Sequence, residues 1–162
     1  MIEKGWDITA MDCSITALLL CRPVVHGAER VHFVAGDAAY LPLRDSTIDA
    51  VFSLHVAGHL AGPGRSQFAG EVLRVLRPGG QVVFSDFGVE DFRCGTGEMT
   101  EPGTFRRGAG SSTHYFTEDE VASLFDAFNF ISIDSHRWVM RIKGQDYQRC
   151  EITAIFEKSA GM

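Results

Sequence analysis

Apolar and polar positions along the chain fall into short runs with two different periods. Residues 6–12, "WDITAMD", alternate and end in an aspartate, the pattern of a strand. Residues 14–22, "SITALLLCR", have the denser apolar spacing of a helix, with Ser14 as its N-cap and Pro23 just past its end. A second strand, 31–35 ("VHFVA"), closes on Gly36-Asp37. A third, 48–54 ("IDAVFSL"), is almost continuously apolar, as a strand covered on both faces would be. "GPGRS" (62–66) reads as a turn. Beyond it Phe68, Val72, Val75 and Leu76 share one helical face, and "RPGG" (77–80) stops that helix. Residues 81–87, "QVVFSDF", predict a fourth strand.

The pattern then loosens. Residues 88–112 hold six glycines and one proline with no sustained period, so they predict a long loop, of the kind that serves function or stays mobile. Residues 117–130, "TEDEVASLFDAFNF", restore a helix, with a capping box between Thr117 and Glu120. Its core face is Val121, Leu124, Phe125 and Phe128. Two strands follow, roughly 131–142 and 150–157, and the short polar "KGQDYQR" between them favours an antiparallel pair. The sum is an α/β fold with a mostly parallel sheet and an antiparallel C-terminal hairpin, in a single domain over 1–162. Ligands of such sheets bind beyond the carboxyl ends of the strands. That directs attention to Asp12, Gly36-Asp37, residues 53–59 and residues 86–88.

Composition narrows the reading. A chain of 162 residues, 45% hydrophobic and 22% charged, is long enough to bury about 70% of its unfolded surface. The net charge of -6 lacks the clustered basic charge of a nucleic-acid footprint, so no nucleic-acid partner is expected. The longest apolar run, residues 15–21, is far short of the ~20 residues of a membrane span, so no membrane partner is expected either. Cysteines 13, 21, 94 and 150 have no CxxC spacing, which argues against a zinc site. They read as reduced thiols, most of them core fillers, in a cytoplasmic protein.

Three stretches in order carry a more specific signal: "ITAMDCS" (8–14), "GDAAYLPLRDSTIDAVFS" (36–53) and "VLRVLRPGGQVVFSDF" (72–87). Together they resemble the class I S-adenosylmethionine-dependent methyltransferases, in particular the group acting on small molecules. The resemblance implies a Rossmann-like sheet, S-adenosylmethionine as cofactor, a small-molecule acceptor and a chain that can form a homo-oligomer. It places Asp12 on the ribose hydroxyls, where two carboxylate oxygens suit a vicinal diol, with Cys13 beside it. It places Asp37 on the adenine amino group, the Ala38 backbone N–H on a ring nitrogen and Leu41 against the ring face. Ser53 and Leu54 lie where relatives border the methionine portion. Each residue also has a plainer reading: Asp12 as a helix-capping or turn residue, Gly36-Asp37 as a simple turn.

Catalytic residues are less defined. Methyl transfer from a sulfonium needs mainly alignment of nucleophile and methyl carbon, and a general base only when the nucleophile still holds its proton. His59, His114 and Tyr115 are the candidates, with His55 behind them. His59 has a plainer reading as a solvent-facing or packing residue. The segment 88–116 would be the substrate-side loop, in which Glu98, Arg106, Arg107, His114 and Tyr115 either line a pocket or are simply solvated.

One family motif has no match. The glycine-rich turn after the family's first strand, and that strand itself, find no counterpart, so the chain reads as N-terminally truncated, with "EKG" as the end of the preceding helix. The same gap leaves a nicotinamide-binding Rossmann reading without its glycine fingerprint. The alternative to an enzyme is a non-catalytic remnant or accessory subunit that keeps the methyltransferase fold.

Overall fold

The computed structural model describes residues 5–25, 30–108 and 110–161. The chain packs as two compact units, Met1–Pro42 and Leu43–Met162.

The smaller unit holds β1 (Ile8–Asp12), α1 (Ile15–Cys21) and β2 (Val31–Ala35). β1 and β2 are parallel, with Ile8 opposite Val31 and Asp12 opposite Ala35. A parallel pair cannot be joined by a tight turn, and α1 begins the crossover between them. Ser14 caps α1 as its spacing predicts: its Oγ accepts from the Ala17 N–H at 3.2 Å. Leu18 is buried, whereas Ile15, Leu19 and Leu20 are exposed. Cys13 and Cys21 are exposed as well, which corrects their reading as core fillers. The first follows the end of β1 and the second is the last residue of a helix that buries only one side chain.

The larger unit opens with β3 (Ile48–Leu54), α2 (Gly62–Val75) and β4 (Leu76–Phe87). After them come the short strands β5 (Glu98–Glu101), β6 (Thr104–Arg106) and β7 (Ser112–His114). It closes with α3 (Glu118–Leu124), β8 (Asn129–Ile142) and β9 (Gln145–Glu157). Its main sheet has the order β3-β4-β9-β8. β3 runs parallel to β4, and β9 is antiparallel to both neighbours. Among the described residues, then, β1 is paired with β2 and β3 with β4. The core lies between this sheet and the helices: Val72, Val75, Val82, Phe84, Val121, Phe125, Ile152 and Phe156 are buried. Phe125 stacks on Phe156 at 5.0 Å and meets Phe84 edge-on at 5.6 Å. Burying each such side chain is worth about 1.5–3 kcal/mol.

The α/β class therefore stands, with its parallel pairs and its antiparallel C-terminal hairpin. Several local expectations change. "GPGRS" is the first turn of α2 rather than a turn before it. Pro63 sits at the start of the helix, where its missing N–H removes no bond. Residues 88–112 are not a structureless loop, because β5, β6 and β7 pair antiparallel within and just beyond them. Gly97 and Gly103 have φ of 97° and 73° and make the turns there; a Cβ at Gly97 would sit 2.3 Å from the Arg106 carbonyl oxygen. Finally, β8 and β9 are joined by Lys143-Gly144 alone, both with positive φ, so most of "KGQDYQR" belongs to β9. α3 is shorter than its pattern predicted, but its capping box forms, and Val121, Phe125 and Phe128 are buried beside a half-buried Leu124.

Candidate active site

In the smaller unit, two exposed aspartates lie at the same end of adjacent parallel strands, Asp12 as the last residue of β1 and Asp37 two residues past β2. The Gly36 N–H donates to the Asp12 carbonyl at 3.2 Å, which carries the pairing one step past β2 and brings Asp37 to the end that holds Asp12. Asp12 Oδ1 accepts from the Ser14 N–H at 2.7 Å, and Asp37 Oδ1 from the Ala39 N–H at 2.9 Å. The turn and capping roles are thus real, and each uses one carboxylate oxygen. Cys13 is exposed, Ala38 is half-buried and Leu41 is buried. Gly36 is held by packing: a Cβ there would meet Met11 Sδ at 3.2 Å. Two carboxylates at one strand end, with small and apolar neighbours, form an acceptor set suited to the hydroxyl and amino donors of a nucleoside.

The larger unit has a second polar cluster at the carboxyl ends of β3 and β4. Ser53 is buried and Leu54 exposed. His55 follows them with φ of 55°, a conformation uncommon for any residue but glycine. Its ring stacks on Phe87 at 4.3 Å. Nδ1 lies 3.8 Å from Asp86 Oδ1 and Nε2 lies 3.5 Å from Glu151 Oε1. These are ion-pair distances, too long for hydrogen bonds. The Asp86 carboxylate is the main cause that raises the His55 pKa above 6.5; Glu151 adds to it, and burial and Arg93 oppose it. Asp86 is itself buried, and its Oδ2 accepts from the Gly58 N–H at 2.7 Å. Ser85 Oγ donates to Glu151.

The three proposed catalytic candidates have separate partners. His59 is exposed, and its Nδ1 lies 3.1 Å from the Ser112 carbonyl oxygen, so it ties the turn after β3 to β7. His114 is buried, its Nδ1 2.8 Å from Thr104 Oγ1. Burial pushes its pKa down, and Arg65 adds to that. Tyr115 is buried, its ring 6.4 Å from Phe87, and burial raises its pKa. Arg106 pairs with Glu98 across β5 and β6.

Two features were beyond the reach of the sequence pattern. Glu151 reaches His55 because β9 pairs with β4 in a register that sets Glu151 opposite Phe87. Asp91 accepts from both Arg93 Nε and Arg149 Nε at 2.7 Å, and the Arg93 guanidinium lies 3.9 Å over the Phe87 ring. Burial alone would raise the Asp91 carboxyl; the two arginines outweigh it and hold the pKa at about 2. From the sequence, only the strand-end positions of His55 and Asp86 pointed toward the His55 cluster.

Comparisons with known proteins agree with the fold. A family described as a methyltransferase domain matches residues 1–84. The chain is similar to a Methanosarcina mazei S-adenosylmethionine-dependent methyltransferase, with a TM-score of 0.79 at 22% identity over 99% of this chain and 85% of that one. It is 27% identical to a Gallus gallus tRNA N(3)-cytidine methyltransferase over 98% of this chain and 46% of that protein. It is 36% identical to a Clavibacter sepedonicus demethylmenaquinone methyltransferase over 54% of this chain and 35% of that protein. The chain thus spans less than half the length of these curated relatives. The tRNA enzymes overturn the expectation of a small-molecule partner with nucleic acid excluded. Net charge sums over the whole surface and does not decide which ligand a local site takes. Among the described residues, no helix is long and apolar enough to cross a membrane.

Proposed function

The chain belongs to the S-adenosylmethionine-dependent methyltransferase family, and from that premise we propose that it transfers a methyl group from S-adenosylmethionine to an acceptor. The observation that carries the reading is the match over residues 1–84 together with Asp12 and Asp37 at one end of a parallel strand pair. In this reading Asp12 accepts from the ribose hydroxyls, with Cys13 beside it. Asp37 accepts from the adenine amino group, Ala38 N–H donates to the ring, and Leu41 covers one face of it. Ser53 and Leu54 keep the cofactor-side role that the resemblance gives them. When bound, the cofactor supplies a methyl group activated on a sulfonium. The residues of this chain bind and orient it and bring an acceptor nucleophile into line.

The acceptor we propose is a base within a tRNA. The similarity to tRNA N(3)-cytidine methyltransferases runs along nearly the whole chain, whereas the quinone enzyme matches about half of it. The test is transfer of labelled methyl from S-adenosylmethionine to unfractionated tRNA, followed by nucleoside analysis. Label in a methylated base is the expected result. Label only in an isoprenoid quinol overturns the tRNA acceptor and leaves methyl transfer standing. No heat on titration with S-adenosylmethionine or S-adenosylhomocysteine overturns the enzyme and favours the accessory-subunit alternative.

A further inference from the structure

Among the described residues, three buried side-chain polar atoms lack a hydrogen-bond partner: Ser53 Oγ, His55 Nδ1 and Tyr115 Oη. Leaving a buried polar atom unpaired is costly, so such atoms are few in folded proteins and call for an explanation. Here all three belong to one neighbourhood. Ser53 and His55 stand at the end of β3, and the rings of His55 and Tyr115 both contact Phe87 at the end of β4. His55 also holds a left-handed backbone conformation, the kind of strain that persists where function requires it.

We propose that His55 is the proton acceptor of the methyl-transfer reaction, with Asp86 and Glu151 as the residues that position it. The proposal rests on the methyltransferase reading above. Asp86 faces Nδ1 and Glu151 faces Nε2, so each ring nitrogen has a carboxylate within 4 Å. Asp86 is fixed in turn by the Gly58 and Phe87 N–H groups and Glu151 by Ser85 Oγ. A proton on Nδ1, facing the buried Asp86, leaves Nε2 as the basic nitrogen on a ring whose side chain is 38% exposed. The charged groups around this ring are Asp86 on β4, Glu151 on β9 and Arg93 beyond β4, and the two carboxylates outweigh the arginine.

The step balances without a further reactant. A lone pair on an acceptor nitrogen or oxygen forms the new bond to the methyl carbon. The carbon–sulfur bond breaks, and its electron pair stays on sulfur as a neutral thioether. The acceptor's N–H or O–H proton passes to His55 Nε2, and the imidazolium so formed lies between two carboxylates until it loses the proton to water. The acceptor class is therefore one that gives up a proton on methylation, such as an amino-bearing nucleobase or a hydroxyl.

The test combines imidazole NMR titration of the full chain with the pH dependence of S-adenosylhomocysteine release, using unfractionated tRNA as the acceptor probe. Release should rise with pH through a midpoint above 6.5, as His55 loses its resting proton. Glu151→Gln should move both the NMR midpoint and the rate midpoint to lower pH. His55→Asn, chosen because asparagine tolerates positive φ, should bind S-adenosylhomocysteine normally by calorimetry. Its release should fall by roughly 100-fold or more and lose the pH limb. A His55→Asn profile matching the unaltered chain overturns this role and leaves the methyltransferase reading intact. Absence of release by the unaltered chain overturns it together with the tRNA reading.

Discussion

Single residues in this protein carry charge that the surrounding strands make meaningful. Asp91 is the clearest case, because its side chain is fully buried and both of its arginines are mostly buried. Removing one partner of such a group leaves uncompensated charge inside the protein, at a cost of about 3–5 kcal/mol. Asp91→Asn should therefore lower the urea midpoint clearly at neutral pH. The sign of its pH dependence follows from a carboxyl depressed from 3.8 to about 2. Its stabilisation is complete above 3.8 and fades as pH falls through about 2, so the gap between the two proteins should close over that window. Equal urea midpoints at neutral pH would show that Asp91 carries no net stabilisation. At this scale Asp12, Asp37 and the Ser14 cap were visible in the sequence, since each depends on neighbours two or three positions away. The Asp91 and His55 clusters were not, because Arg149 and Glu151 arrive from β9, nearly 60 and 100 residues further along the chain.

Elements follow the same division between local and distant causes. β2 and β3 have the bounds their apolar runs predicted, and α3 has its predicted capping box. The small sheet β5-β6-β7 escaped the pattern because its strands are three or four residues long and its glycines looked like looseness. Gly97 and Gly103 instead hold positive φ where a side chain would collide with the Arg106 backbone or the His114 ring. This sheet contains His114, buried against Thr104 Oγ1 and with a pKa below 6.5. An opened sheet would bind a proton more readily than the closed one, so acidification below 6.5 favours opening. Amide exchange in β6 and β7 should accelerate as pH falls from 7.5 to 5.5, after correction for intrinsic rates, more than in β9. Equal changes in both would remove His114 as the cause, and His114→Gln should abolish the difference.

At the scale of the whole molecule, the methyltransferase reading has a stability consequence. A ligand that binds only the native state stabilises it by about 2.7 kcal/mol at 100 times its Kd, roughly 5–10 °C in Tm for a chain of this size. S-adenosylhomocysteine at that level should raise Tm by this amount, and Asp12→Ala should reduce the shift without changing the Tm of the free protein by more than a few degrees. An unchanged shift in both Asp12→Ala and Asp37→Ala would remove these residues from the cofactor site. By itself the sequence determined the α/β class, the family and the strand-end aspartates, because these are set by period, by capping and by short motifs read in order. It did not determine the acceptor, since net charge is a sum and recognition is local. Only the tertiary structure turned His55 from a lesser candidate into the centre of a charged cluster. The β4–β9 register sets which carboxylate reaches which nitrogen, and that register comes from burying Phe84, Ile152 and Phe156 in a common core.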